Sequence, residues 1–192
     1  PPELYAAAAR QLILDHRVPV VLTGSAAEAD LIDDIRTRLG APAASLAGIL
    51  TLEELAALLS LAPLLIANNT GPVHLAAAVG TPVVDLYALT NPQHTPWGVP
   101  SRVLYHDVPC KFCYRSVCPE GHHHGLRLVT PEAVVAAALA CAGVSGMQGR
   151  VVDDFQPNRL EFGQPLVEQG FDVVGQVQAG SAFLNGLTIT FS

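Results

Sequence analysis

The stretch Asn68-Asn69-Thr70-Gly71-Pro72-Val73-His74 gathers side chains well suited to holding a polar ligand. An apolar run, Leu64-Leu65-Ile66-Ala67, leads into it, and helical spacing follows it. Gly71 permits close backbone approach, and Pro72 presets the backbone for a helix start. The free N–H groups of a first helical turn, with the helix dipole, favour an anion there. Asn69, Thr70 and His74 add hydrogen-bonding side chains near the same volume, so a diphosphate is a natural occupant. The same residues also suit an ordinary helix cap at Asn69 and a histidine satisfied within its own helix.

Two other groupings could carry chemistry. Thr23-Gly24-Ser25 closes a β-branched run, and Glu28 stands three residues after Ser25, in the capping-box position. Cys110, Cys113 and Cys118 lie close together, followed by His122, His123 and His124. Their C-x-x-C spacing is compatible with a tetrahedral zinc site made of Cys110, Cys113, Cys118 and a histidine, His124 or another of the three. Reduced structural cysteines or an adventitious disulfide account for the same residues. Cys141 stands apart.

The elements that must position these groups alternate in type. Glu3 to His16 carries Leu4, Ala8 and Leu12, with Ala9 and Ile13 beside them, at the helical period. Val18 to Thr23 reads as a buried strand. A helix capped by Ser25 then runs to about Leu39 and stops at Gly40. Thr51-Leu52-Glu53-Glu54 opens another helix, ending near Pro63, and Leu64 to Ala67 is again a strand. Val73 to Val79 is a helix closed by Gly80. Val83 to Tyr87 and Arg102 to Tyr105 are strands, and Pro131 to Ala140 is a last helix. Strands alternating with helices through short loops imply a parallel sheet covered on both faces, a Rossmann-like α/β domain over residues 1–141. Residues 142–192 read as a linker and a β-rich tail of unknown role, with strand candidates at Phe171 to Gln178 and Leu187 to Phe191. A tight hairpin turn is expected at Asn185-Gly186.

Composition narrows the function classes. Of 192 residues, 50% are apolar and 14% charged, which supports a folded core rather than a disordered chain. Asp and Glu number 17 against 10 Lys and Arg, and Lys111 is the single lysine. Without a basic cluster to displace counterions, nucleic-acid binding is not expected. A Walker-type phosphate loop is absent. The uncharged run Leu55 to Val84 is broken by Pro63, Asn68, Asn69, Gly71, Pro72 and Gly80, so no transmembrane segment is expected. No signal peptide is apparent, and the cysteine usage fits a reducing cytoplasm.

The segment Leu64 to Pro96, L-L-I-A-N-N-T-G-P-V-H-L-A-A-A-V-G-T-P-V-V-D-L-Y-A-L-T-N-P-Q-H-T-P, resembles the donor-binding motif of glycosyltransferase family 9, the ADP-heptose:lipopolysaccharide heptosyltransferases and their relatives. The family pattern is a strand, [DN]-[ST]-G-x-x-H-L-A-A-A, then G-x-P-V and a Thr/Pro-rich loop. The resemblance covers roughly Pro1 to Cys141. It implies the C-terminal half of a two-domain GT-B fold, with donor contacts from Thr23, Gly24, Glu28, Leu50, Asn69, Thr70, Gly71 and His74. Glu28 is then expected near the donor ribose and Leu50 against the adenine. Asn69 stands where aspartate is commoner, and Gly125 where many members carry a cysteine.

The implied activity is inverting transfer from a nucleotide sugar such as ADP-heptose to a lipid-linked saccharide in lipopolysaccharide core synthesis. No cofactor is required, zinc being at most structural. The implied location is cytoplasmic, peripheral to the inner membrane for the full-length protein. In relatives, the first strand of this domain and its phosphate loop precede a W-P-x-x-x-[YF] segment that Pro1 to Tyr5 resembles. The acceptor domain and its carboxylate base are therefore expected outside this chain, with weak nucleotide binding and no transfer by the chain alone. A non-catalytic interaction module and a GT-B-fold nucleotide-sugar epimerase are the alternatives.

Overall fold

The computed structural model describes residues 1–143 and 187–190. The helices are α1 (Pro2–Leu14), α2 (Ala29–Leu39), α3 (Leu52–Leu61), α4 (Gly71–Ala78), α5 (His124–Arg127) and α6 (Pro131–Cys141). The strands are β1 (Val20–Thr23), β2 (Ala44–Ser45), β3 (Leu65–Asn68), β4 (Val83–Leu86), β5 (Ser101–Leu104) and β6 (Leu187–Thr190). They form one sheet in the order β2-β1-β6-β3-β4-β5, with every pairing parallel.

Alternation along the strands sends side chains to two separate cores. Val20, Leu22, Ile66, Val84 and Leu86 pack with α1, α2 and α6 on one face. Leu65, Ala67 and Val83 pack with Leu59 of α3 and with Val73 and Ala76 of α4 on the other. Because both faces are covered, strands such as Leu65-Ile66-Ala67 read as unbroken apolar runs. Full burial of side chains such as Leu22 and Ile66 contributes on the order of 1.5–3 kcal/mol each.

Helix boundaries follow local signals. Thr51 accepts a hydrogen bond from Glu54 N (3.2 Å), while its own N–H donates to Glu54 Oε2 (2.8 Å), closing a reciprocal cap on α3. Gly40 ends α2 in the left-handed region at φ 58°. Thr130 caps α6 through Ala133 N (3.2 Å). The helix expected directly after Ser25 instead begins as a single 3-10 turn, Ala26–Glu28, before α2 starts.

The strand candidate at Leu187 to Phe191 is present as β6. Leu187–Thr190 lies inside the sheet, paired with β1 on one side and β3 on the other. Its two free edges need partners, and the gap between β1 and β3 supplies both. The strand candidate at Phe171 to Gln178 and the Asn185-Gly186 turn lie outside the described residues. Among the described residues, no helix is long and apolar enough to cross a membrane.

Candidate functional site

From β1 the chain runs outward to β2, whereas from β3 it runs the opposite way to β4 and β5. The carboxyl ends of β1 and β3 therefore flank the point where strand order reverses, the usual crevice for ligands in such sheets. With β6 between them, those ends stand about 10 Å apart at normal strand spacing. The expected site residues fall into two groups, one on each side of this point.

On the β1 side, Thr23 is buried and Gly24 opens the turn. Glu28 accepts hydrogen bonds at Oε2 from the Ser25 N–H (2.7 Å) and the Ser25 hydroxyl (2.6 Å), so the capping role is the one observed. The loop bearing Leu50 is tied to this turn. Leu46 N donates to Leu22 O (2.8 Å), and Gly48 N donates to Gly24 O (2.9 Å). Gly48 has φ 71°, and a Cβ there would lie 2.9 Å from Ala26 Cα. Only glycine allows so close a crossing at that backbone angle. Leu50 itself is half-buried.

On the β3 side, Thr70 is the N-cap residue of α4, but its hydroxyl donates to Asn68 O (3.2 Å) and makes no cap hydrogen bond to the first turn. The positive end of α4 is left facing outward. A Cβ added at Gly71 would meet nothing within 4 Å, so the space above the turn is open. His74 is exposed on the first turn.

Asn69 is held more firmly than a simple cap. Its Nδ2 donates to Asp85 Oδ2 (2.8 Å) and to His94 O (2.8 Å). Both amide protons are thus committed inside the protein, fixing the side chain between β4 and the loop after it. Asp85 is the residue that sequence reasoning missed. It is fully buried in β4, and its Oδ1 finds no hydrogen-bond partner among the described residues. Burial pushes its carboxyl up to about 6, while the hydrogen bond from Asn69 opposes the rise. The signal was present in the sequence as a lone acid in the apolar run Val83-Val84-Asp85-Leu86.

Asn68 points to the opposite face, where the Tyr5 hydroxyl donates to its Oδ1 (2.8 Å). Burial, with Asp85 adding to it, pushes the Tyr5 phenol well above its ordinary range and keeps this donor protonated. A cavity of about 800 Å³ opens beside this pair, lined among others by Leu86, His123, Leu126 and Arg127. A smaller one of about 400 Å³ lies on the other side of the turn, between α4 and the loop carrying Trp97.

The cysteine cluster is arranged differently from the zinc set expected on spacing. Cys110 Sγ lies 3.8 Å from His122 Nε2, and Cys118 Sγ lies 3.8 Å from His122 Nδ1. The two sulfurs thus address opposite nitrogens of one imidazole, and His122 Nδ1 also accepts from His124 N (3.0 Å). His124 stacks its ring on His122 at 4.2 Å between centroids. No group of three or more His, Cys, Asp or Glu placed to share a metal ion occurs among the described residues. Gly125 is buried, and a Cβ there would lie 3.1 Å from Ala88 Cβ, so the cysteine common in the resembled family would require Ala88 to yield.

Comparisons with known proteins bear on the family and the fold. The family model described as glycosyltransferase family 9 (heptosyltransferase) matches residues 1–124. The lipopolysaccharide heptosyltransferase 2 of Escherichia coli (strain K12) is 33% identical over 141 residues, covering 68% of this chain and 39% of the relative. The lipopolysaccharide core heptosyltransferase OpsX of Haemophilus influenzae is 34% identical over 82 residues, covering 42% of this chain and 24% of the relative. Among solved structures, the E. coli ADP-heptose LPS heptosyltransferase II superposes with TM-score 0.63 at 30% identity, covering 75% of this chain and 42% of that one. The family 9 glycosyl transferase of Veillonella parvula gives TM-score 0.64 at 26% identity, with 76% and 42% covered. This chain spans about two fifths of the length of such relatives. A parallel α/β sheet with the expected turn at its switch point, together with these matches, places the chain in glycosyltransferase family 9.

Proposed function

We propose that this chain is the nucleotide-sugar-binding part of an inverting heptosyltransferase acting in lipopolysaccharide core synthesis, with an ADP-sugar such as ADP-heptose as donor. The observation that carries this reading is the turn at the carboxyl end of β3. There an uncapped α4 N-terminus, open space above Gly71, the immobilised Asn69 and the exposed His74 converge. The diphosphate sits over the first turn of α4, stabilised by the helix dipole and the His74 side chain, and by the Thr70 hydroxyl once it turns from Asn68 O toward the ligand. Asn69 offers the ligand only its Oδ1, since both amide protons are engaged; that oxygen suits a sugar hydroxyl better than a phosphate. Adenine and ribose extend across the switch point toward Leu50, Gly24 and Glu28.

Transfer requires a base to deprotonate the acceptor hydroxyl and a positive field to stabilise the departing diphosphate. In this reading the base and the lipid-linked acceptor belong to parts of the protein outside these 192 residues, and the chain's own residues position the donor. No metal is required for the reaction, and full-length enzyme works at the cytoplasmic face of the inner membrane.

The test is an ADP titration of this chain followed by calorimetry or by NMR. Binding that is lost in His74→Ala supports the site. The absence of any shift at millimolar ADP overturns it for this chain.

A further inference from the structure

A groove of about 400 Å³ runs along α4 beside the turn just described, lined by His74, Ala77, Ala78, Gln93, Thr95 and Trp97. His74, Ala77 and Ala78 share one helix face by their spacing. The two alanines make a smooth wall, and Trp97, the chain's single tryptophan, forms the facing edge with 79% of its surface exposed. A lone exposed apolar residue on a protein surface requires no explanation. Here, however, the indole borders a concave space in the size range of ligand sites, and it is held there by a built loop.

Several hydrogen bonds fix that loop. Asn91 N donates to Tyr87 Oη (2.8 Å), Gln93 N donates to Asn91 Oδ1 (3.0 Å), and the Thr95 hydroxyl donates to Pro92 O (3.2 Å). Asn69 Nδ2 ties His94 O to the α4 turn at 2.8 Å, coupling the groove to the candidate donor site. The side chains of His74, Gln93 and Trp97, by contrast, make no hydrogen bond to other described residues. The loop is therefore ordered by its own contacts, while the polar atoms of His74, Gln93 and Trp97 remain available to an occupant.

The lining selects the chemistry of the occupant. No carboxylate, lysine or arginine contributes to it, which argues against a phosphate or a charged peptide. An aromatic face opposite a wall of methyl groups, with an amide, a hydroxyl, an imidazole and an indole N–H at the margins, matches a neutral polyhydroxylated ring. The C–H face of such a ring carries partial positive charge and packs on the negative face of an aromatic ring. We infer that this groove is a saccharide subsite, and that Trp97 stacks on the sugar ring of the nucleotide-sugar whose diphosphate lies on α4. This rests on the proposed donor site, which His74 shares.

Because Trp97 is the chain's only tryptophan, its emission reports on the groove without ambiguity. The chain is titrated with ADP, with ADP-mannose and with mannose alone to high millimolar, and affinities are measured in parallel by calorimetry. The expected result is a saturable emission change with ADP-mannose that ADP does not reproduce. The affinity ratio of ADP-mannose to ADP should fall by about 3- to 10-fold in Trp97→Ala and largely recover in Trp97→Phe. If both nucleotides bind while emission and that ratio stay unchanged, the inference is overturned and the donor site stands. If neither nucleotide binds, the donor site fails, and mannose alone decides the groove: a saturable shift sustains it and none overturns it. Emission that follows protein concentration instead of sugar identifies a self-association face and also overturns it.

Discussion

Asp85→Asn tests the placement of a carboxyl group beneath the candidate site. Asp85 is fully buried, one oxygen accepts from Asn69 Nδ2 at 2.8 Å, and the other finds no partner among the described residues. Burial raises its carboxyl from 3.8 to about 6. The folded state therefore holds this proton at pH values where the unfolded chain has released it. Below 3.8 the group is neutral in both states and costs nothing. Between about pH 4 and 6 the unfolded state ionises first and stability falls; above 6 the loss is complete. At about 1.4 kcal/mol per pH unit, the full loss is about 3 kcal/mol, of which about 2–3 kcal/mol falls between pH 4 and pH 7. Asparagine keeps the shape and still accepts from Asn69, but it cannot ionise. The new amide adds a cost of about 1–3 kcal/mol where Oδ1 was unpartnered, and this cost does not vary with pH. Urea unfolding of both proteins, followed by circular dichroism across this range, separates the two effects. The wild type should lose about 2–3 kcal/mol relative to the variant between pH 4 and pH 7. Parallel stability curves would refute a buried, partly unpaired carboxyl.

Other outcomes follow from single features. Thr51→Ala removes the hydroxyl that accepts from Glu54 N, and should lower stability by about 1 kcal/mol in thermal or urea unfolding. Gly48→Ala forces a Cβ to 2.9 Å from Ala26 Cα at φ 71°; a loss of about 1–3 kcal/mol is expected, with chemical-shift changes at Thr23 and Gly24. Backbone hydrogen bonds to Cys118, that of His123 foremost, lower its thiol below the ordinary value, whereas burial raises that of Cys141. Timed alkylation at neutral pH, read by peptide mass spectrometry, should modify Cys118 before Cys141; the reverse order would contradict this arrangement.

Most of the fold was legible in local sequence. The reciprocal cap Thr51-Glu54, Gly40 at the end of α2 and Pro131 at the start of α6 act within a few residues and appear where the pattern places them. Apolar runs such as Leu64-Leu65-Ile66-Ala67 announce strands buried on both faces, because covering both faces leaves no position for a polar alternation. The turn Asn69 to His74 was legible for the same reason, being a strand end, a turn and a helix start in sequence. The two-residue β2 was not legible, because its strand state comes from pairing with Val21 and Leu22 rather than from its own residues.

What only tertiary structure decided are the relations between distant residues. Leu187–Thr190 looked like a strand from its own composition, yet nothing local indicates that it enters the sheet between β1 and β3. Strand pairing is set by backbone hydrogen bonds available elsewhere, and these carry no sequence label. The same holds for Asp85, which lies 16 residues from the amide it anchors, and for His122 rather than His124 against the two sulfurs. Sequence spacing determined which chemical groups this chain possesses and which ends of which elements carry them. Folding determined which of those groups meet, because burial and hydrogen-bond satisfaction are properties of the packed molecule and not of any one segment.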